Sequence, residues 1–407
     1  MIHFINLPIE VILAITEFLT LLDTLNLSLT CNFFYDAWKC FQRQKRLKPL
    51  FLPPKFIIQI SKFLPMIDIL KLSSTCKLLR VLVSCVEFNN EVSFNSISGL
   101  PYFDSFTNVT YFAYEIRFPK HLKYLNWFSG KSLPHEIPST VTLLRLTNST
   151  EPIDYIPDFI EELYIARRYD HLQAFPASLK RLEITCRHYP LLKLPATLLS
   201  LKISSKYNLT LPELPDTLVE LVLGWDFNQK IERLPASLSH LELSCLFNKI
   251  LPPLPDSLRF LRLGHEYNQV LSLPDKLEVL ILGANFNHKF SHFPNSLKSF
   301  SAGCNYNQPL PEFPESLQSL RIASYYDHVL PPLPDSLRDL SLGGYYNLPL
   351  PPLPNSLEYL DLGRSYRQLL PQLPPSLKTL AIPETLINTM KAQIPCDAKV
   401  IPYFNIY

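Results

Sequence analysis

Residues Leu254–Gln269 read LPDSLRFLRLGHEYNQ, and residues Leu353–Gln368 read LPNSLEYLDLGRSYRQ. The phrase recurs through most of the chain. Its opening Leu/Phe/Ile-Pro pair starts at 118, 137, 156, 175, 194, 214, 234, 254, 273, 293, 313, 333, 353 and 373, always 19 or 20 residues apart. The common pattern is L-P-x-S-L-x-x-L-x-L-G-x-x-[FY]-N-Q-x-L-P. Self-similarity at a short fixed period marks a solenoid. Each L-x-x-L-x-L segment is a short strand with its leucines inward; one unit cannot close a core, but stacked units can. Neighbouring strands sit about 4.8 Å apart, so fourteen units predict an arc on the order of 65 Å long. Returns such as LPPLP at 251–255 cannot be helical and predict a polyproline-like outer side.

Composition agrees with that reading. The 407 residues contain 38 Pro and only 9 Gly, which excludes a helical bundle for most of the chain. With 47% apolar and 18% charged residues, the chain is too apolar to be disordered. A net charge of +2 argues against a protein built around nucleic acid or an anionic membrane surface. Val11 to Leu22 is apolar, but no basic residue precedes it and Glu10, Glu17 and Asp23 flank or interrupt it, so no secretory signal is expected. No apolar run reaches 18 residues, so no membrane span is expected either. Eight cysteines then read as reduced thiols of a cytoplasmic protein, with the nucleus as the other compartment.

Several columns of the repeat carry specific expectations. Tyr207, Phe227, Phe247, Tyr267, Phe286, Tyr306, Tyr326, Tyr346 and Tyr366 share one register and predict a ladder of rings in edge or offset contact. Asn208, Asn228, Asn248, Asn268, Asn287, Asn307 and Asn347 follow them. A buried amide there would satisfy turn backbone groups of adjacent units. Asp327 and Arg367 break that row. Gly224, Gly264, Gly283, Gly303, Gly343 and Gly363 share a register with Ser204, Ser244 and Ala323. Those substitutes point to crowding rather than to a need for positive φ.

The second and third x of L-x-x-L-x-L face the inner surface, where a partner would bind. The candidate target-binding residues are Tyr164, Arg181, Glu242, Phe260, Arg262, Arg321, Asp339, Tyr359 and Asp361. Across the whole face, Arg145, Arg181, Lys202, Arg262 and Arg321 oppose Glu162, Glu183, Glu220, Glu242, Asp339 and Asp361. No basic stripe forms, which counts against a nucleic-acid groove. Mixed charge with scattered aromatics suits a protein partner.

Chemical sites fail on geometry. Cys186, Cys245 and Cys304 share a register but lie three units apart, about 14 Å at strand spacing, beyond the roughly 7 Å a disulfide allows. His288 and His292 are four apart in a turn and an extended segment, so helical ligand logic does not apply to them. Cofactors and metals are not expected, and neither is a catalytic residue.

The N-terminus carries a second duplication, at an offset of 45. Leu7 to Tyr35 (LPIEVILAITEFLTLLDTLNLSLTCNFFY) and Leu52 to Arg80 (LPPKFIIQISKFLPMIDILKLSSTCKLLR) are identical at 12 of 29 positions. Val11, Ile12, Ile15, Phe18 and Leu19 have helical spacing. Pro8 and Pro53 suit a first helical turn, and Asp23 and Asp68 suit N-caps. Each copy is a small helical unit too short to bury much core alone. One reading is a helical cap on the open end of the solenoid.

This N-terminal pattern resembles an F-box, the three-helix motif that docks substrate receptors onto cullin–RING ubiquitin ligases. Leu7, Pro8, Glu10, Ile12, Ile15, Leu19, Asp23, Leu27, Ser28, Cys31 and Phe33 occupy its positions; the second copy departs at Lys55, where the first has Glu10. The C-terminal pattern is similar to FNIP repeats, seen in amoebal and giant-virus proteins and regarded as relatives of leucine-rich repeats. Tyr306-Asn307-Gln308-Pro309 is its nearest phrase here. The rhythm also resembles the short repeats of bacterial effector ligases. Cys396-Asp397 matches their Cys-x-Asp only weakly, and no large helical catalytic domain follows.

The resemblance implies an α+β chain: one or two small helical F-box-like units followed by a leucine-rich-repeat-like parallel β solenoid of about fourteen 19–20-residue units. The implied domains are 1–48, F-box-like; 49–87, a second degenerate copy; 88–117, an N-cap; 118–382, repeats; and 383–407, a C-terminal cap. The implied function is a substrate receptor. A Skp-family adaptor would bind through Leu7, Pro8, Glu10, Ile12, Ile15, Leu19 and Cys31, and the repeats would capture a target protein. Nucleic acid and membrane are not expected partners. A non-ligase interaction solenoid with a helical N-terminal cap is the alternative.

Overall fold

The computed structural model describes residues 87–403, except 101, 113–116, 129–132, 135, 148–154, 167–171, 186–189, 204–205 and 391–392. The two N-terminal helical copies, and with them Leu7, Pro8, Glu10, Ile12, Ile15, Leu19 and Cys31, lie outside the described residues. The chain divides into two compact units, Met1–Thr150 and Glu151–Tyr407.

The described part of the first unit holds β1 (Val92–Ser93), α1 (Phe94–Ile97), a 3-10 turn (Phe103–Ser105), β2 (Asn108–Tyr111), β3 (Tyr124–Trp127) and β4 (Leu143–Leu146). Its strands pair in parallel, β1 with β2, β2 with β3 and β3 with β4. Strand pairing thus begins inside the stretch 88–117. Its core is aromatic: Phe94 stacks on Tyr111 at 4.8 Å between ring centroids and meets Phe103 edge-on at 5.9 Å. Buried Asn126 is satisfied by Asn108 Oδ1 at 3.0 Å and Thr110 Oγ1 at 3.2 Å, as a buried amide requires.

The second unit is a parallel β solenoid. Its strands are β5 (Glu162–Ile165), β6 (Arg181–Ile184), β7 (Ser200–Ile203), β8 (Glu220–Leu223), β9 (His240–Glu242), β10 (Phe260–Arg262), β11 (Val279–Ile281), β12 (Ser299–Ser301), β13 (Ser319–Arg321), β14 (Asp339–Ser341), β15 (Tyr359–Asp361), β16 (Thr379–Pro383) and β17 (Lys399–Tyr403). α2 (Glu384–Met390) joins the last two strands. Each strand pairs in register with the next; Phe260, Leu261 and Arg262 stand opposite His240, Leu241 and Glu242 on one side and Val279, Leu280 and Ile281 on the other. Among the described residues, the Pro-rich returns of β5 to β16 contain no helix, as the proline spacing predicted.

The repeat letters now have physical roles. Leu258, Leu261, Leu263 and Tyr267 of one unit are at most 3% exposed, and each such side chain contributes roughly 1.5–3 kcal/mol on burial. The Leu258 N–H donates to Pro255 O at 3.0 Å, closing a β-turn over P-x-S-L. The serine of that turn bonds back to the preceding unit. Ser257 Oγ donates to Leu238 O, Ser336 Oγ to Leu317 O and Ser356 Oγ to Leu337 O, each at 2.7 Å. Thr197 and Thr217 do the same to Leu179 O and Leu198 O at 2.9 Å.

The aromatic column forms the expected ladder, as parallel offset stacks. From Tyr207 to Tyr346, successive rings lie 6.0–6.5 Å apart at interplanar angles of 3–18°. The glycine column is crowded as expected: a Cβ on Gly283 would fall 1.6 Å from Gly264 O, and one on Gly303 would fall 1.8 Å from Gly283 O. Among the described glycines, Gly363 alone has positive φ, at +70°.

The asparagine row corrects one expectation. Its amides do reach the next unit: Asn228 Oδ1 accepts the Asn248 N–H at 3.0 Å, Asn287 Oδ1 the Asn307 N–H at 2.9 Å and Asn347 Oδ1 the Arg367 N–H at 2.8 Å. They are not buried, however; Asn248, Asn287 and Asn347 are exposed. The turn lies at the surface, and only its backbone donor needed a partner. The neighbouring column adds a second bond to the same acceptor: Gln229 Nε2 donates to Asn208 Oδ1 and Gln269 Nε2 to Asn248 Oδ1, both at 3.0 Å.

No helix among the described residues is long and apolar enough to cross a membrane.

Candidate interaction face

Alternation along each strand buries one residue and leaves its neighbours on the open face. In β6, Leu182 and Ile184 are buried while Arg181 and Glu183 are exposed. Arg262, Arg321 and Asp339 are likewise exposed, and Tyr164, Glu242, Phe260, Tyr359 and Asp361 are half-buried. Parallel registry arranges these side chains in two columns. One runs Glu162, Arg181, Ser200, Glu220, His240, Phe260, Val279, Ser299, Ser319, Asp339, Tyr359; the other runs from Tyr164 to Asp361.

Charges near β5–β10 are largely committed to one another. Arg181 pairs with Glu162. Lys202 Nζ lies 2.8 Å from Glu220 Oε1, and Ser200 Oγ donates to Glu220 Oε2 at 2.6 Å. Partial burial opposes ionisation of Glu220, but these bonds and the charges of Lys202 and His240 outweigh it and hold its carboxyl below the usual range. His240 Nε2 contacts Glu242 Oε1 at 2.9 Å, and Arg262 approaches Glu242 Oε2 at 3.8 Å. The His240 ring stacks on Phe260 at 4.2 Å and 5°, and the Arg262 guanidinium lies 5.9 Å from the Phe260 ring centre.

At the other end, Asp361 is held from several sides. Its Oδ1 accepts from Tyr403 Oη at 2.8 Å and from the Gly363 N–H at 2.9 Å. Burial, with the Asp361 bond second, pushes the Tyr403 hydroxyl up to about 12. Arg364 lies over the Tyr403 ring at 5.9 Å. Burial also raises Tyr359, reinforced by the charges of Asp361 and Asp339 and opposed by Arg321.

Three aromatics of the second unit that are more than half exposed lie outside the strand columns that the sequence singled out. Trp225 is 61% exposed, and Tyr325 and Tyr345 stack on each other at 5.0 Å and 11° while remaining 56% and 63% exposed. They sit in the turn between the small residue and the buried ring. An aromatic at an x of G-x-x-[FY] is the signal that marks them.

Among the described residues, no group of three or more His, Cys, Asp and Glu could hold a metal ion. Cys245, Cys304 and Cys396 are free thiols; Cys186 lies outside the described residues. His288 Nε2 contacts Asn268 O at 3.1 Å and His292 Nδ1 contacts Ser291 Oγ at 3.0 Å.

Thirteen parallel strands with a buried leucine face and an uncovered polar face define a leucine-rich-repeat-like interaction scaffold. A likeness to solved leucine-rich-repeat proteins agrees. The chain is similar to CroV588, described as a novel circular LRR protein structure, at 24% identity and a TM-score of 0.57, over 77% of this chain and 58% of that one. It is similar to YopM from Yersinia enterocolitica WA-314 at 23% identity and 0.56, over 68% and 64%. It also resembles YopM of Yersinia pestis, a leucine-rich effector protein, at 24% identity and 0.50, over 65% and 84%. The chain thus spans 58% and 64% of the first two, and at these identities the likeness is one of fold. No curated protein matches the chain. Family models are more specific: the F-box domain matches residues 4–45 and 50–91, and the FNIP repeat matches 207–246 and 267–305. The chain thus carries two F-box domain matches followed by FNIP repeats.

Proposed function

We propose that the chain is the substrate receptor of a cullin–RING ubiquitin ligase, acting in the cytoplasm. The observation that carries this reading is the order of its parts: two F-box matches precede a solenoid whose strand face is uncovered. F-box domains bind Skp-type adaptors. The first copy supplies Leu7, Pro8, Glu10, Ile12, Ile15, Leu19 and Cys31 for that contact; the second has Lys55 where the first has Glu10 and is a degenerate copy. The repeats hold the target through the face from Tyr164 to Asp361. No residue of this chain performs chemistry in this role; the partner enzymes transfer ubiquitin, and the chain supplies proximity.

The test is binding of purified full-length protein to a Skp-family adaptor, beside the doubles Leu7→Ala/Pro8→Ala and Leu52→Ala/Pro53→Ala. Loss of binding in the first double alone supports a receptor acting through copy one. A folded wild type that does not bind removes the ligase reading and leaves a solenoid capped by helices.

A further inference from the structure

The registry of the open face reveals a pattern that its overall composition hides. From β10 to β13, one column reads Arg262, Ile281, Ser301, Arg321, and the other reads Phe260, Val279, Ser299, Ser319. These four strands present no acidic side chain on the face. The nearest acids on the face are Glu242 on β9, already bonded to His240, and Asp339 on β14. Arg262 reaches Glu242 only at 3.8 Å. Arg321 has no carboxylate within ion-pair distance among the described residues, Asp339 included. Val279, Ile281, Ser299, Ser301 and Ser319 are all half-buried, so the floor between the two arginines is shallow, uncharged and partly apolar.

The two guanidiniums stand three strand steps apart in direct register, about 14 Å at parallel-strand spacing. An extended chain advances about 3.3 Å per residue and returns its side chains to one face every second residue. Four residues of such a chain, laid across the strands, therefore span the gap, and residues i, i+2 and i+4 all face the sheet. We propose that this window binds an extended protein segment carrying carboxylates at i and i+4 and an aliphatic side chain at i+2. The carboxylates pair with Arg262 and Arg321, whose planar forks match that geometry. The aliphatic group lies over Ile281 and Ser301, with Val279 beside it. Phe260, stacked on His240, closes one end of the site. This inference rests on the reading of the repeats as the target-binding surface and names the chemistry of the target.

The probe is a fluorescein-labelled peptide, GSESLSESG, titrated against the full-length protein by fluorescence polarisation. Its controls are GSKSLSKSG, GSQSLSQSG and a single-stranded oligonucleotide. The expected result is saturable binding of the acidic peptide that weakens with salt. Either Arg262→Ala or Arg321→Ala should weaken it about fivefold or more, and the double should abolish it. Arg259→Ala/Arg338→Ala, changed outside the two face columns, should leave it intact. Because GSQSLSQSG tests the same contacts from the ligand side, a variant that fails to fold does not protect the proposal. It is overturned if no acidic peptide binds the folded wild type, if the lysine or glutamine peptide binds as well, or if the oligonucleotide takes the site instead. Adaptor binding is measured separately on the same protein. Its failure removes the ligase reading and leaves a positive peptide result standing, and the reverse holds equally.

Discussion

Two neighbouring rungs of the aromatic ladder should respond to one substitution with opposite sign. The Tyr326 hydroxyl accepts the Leu310 N–H at 3.2 Å. The Tyr306 hydroxyl is buried and meets no partner among the described residues, and burial drives its ionisation well above the usual range. Tyr267, Tyr346 and Tyr366 approach the N–H groups of Leu251, Leu330 and Leu350 without good bonding geometry, so Tyr306 and Tyr326 are the informative pair. Tyr306→Phe removes an unsatisfied buried hydroxyl, whose cost is about 1–3 kcal/mol, and should stabilise its unit by about 1 kcal/mol. Tyr326→Phe orphans the buried Leu310 N–H and should cost about 1–2 kcal/mol. The difference, about 2–3 kcal/mol, is roughly 30- to 150-fold in a local opening constant. Repeat arrays need not unfold in two states, so the assay is native-state hydrogen exchange of the β12–β14 amides in the full-length chain. Exchange should slow for Tyr306→Phe and speed up for Tyr326→Phe. Equal destabilisation by both would refute the argument that the hydroxyl's partner decides the sign.

Other substitutions test the remaining columns. Gly283→Ala sets a Cβ 1.6 Å from Gly264 O, whereas Gly344→Ala meets nothing within 4 Å; thermal unfolding should show a loss of about 2 kcal/mol or more for the first and under about 0.5 kcal/mol for the second. Ser336→Ala removes the bond to Leu317 O and should cost about 1 kcal/mol by urea titration, while Ser336→Thr should retain it, since Thr197 and Thr217 make the same bond. Tyr403, raised from 10.0 to about 12 in the folded chain, favours the protonated hydroxyl there. Its contribution to docking β17 is complete below pH 10 and is lost as pH rises from 10 through 12. Carbon-13 tyrosine spectra should show it titrating near the top of that window, and Asp361→Asn should move it down; a Tyr403 that ionises near pH 10 in the wild type would contradict the contact.

The repeat period disclosed the strands, the ring ladder and the crowded glycines, because each is a column whose substitutes share a physical property. Ser and Ala in the glycine column pointed to size rather than to φ, and Gly264 against Ser244 O shows why. A recurring amide suggests satisfaction in the core, yet the asparagine row lies at the surface. Its position at the surface depends on where the turn lies, which period alone does not fix. The serine of P-x-S-L was visible, but its role was not, since its acceptor is a carbonyl 19 residues away. On the face, the sequence supplied membership but not adjacency. Arg262 and Arg321 are both visible in the sequence, yet the acid-free interval between them emerges only when registry sets Ile281 and Ser301 in line. The exposed Tyr325–Tyr345 pair was hidden by its buried neighbours Tyr326 and Tyr346, which dominate the pattern.

The unit that begins at Leu254 is one residue shorter than its neighbours, and the shortfall falls in the return, where Leu271-Ser272-Leu273 replaces the longer Leu251-Pro252-Pro253-Leu254. The strands flanking it keep full register. In this coil the length difference is thus absorbed in the return and does not reach the strand. Unequal recombination between units can therefore add or delete a whole coil without retuning its neighbours. The span of the binding face becomes a heritable quantity that changes in steps of one strand, about 4.8 Å each. A lineage of such chains can adjust the distance between two anchoring side chains by copying coils, without altering either anchor.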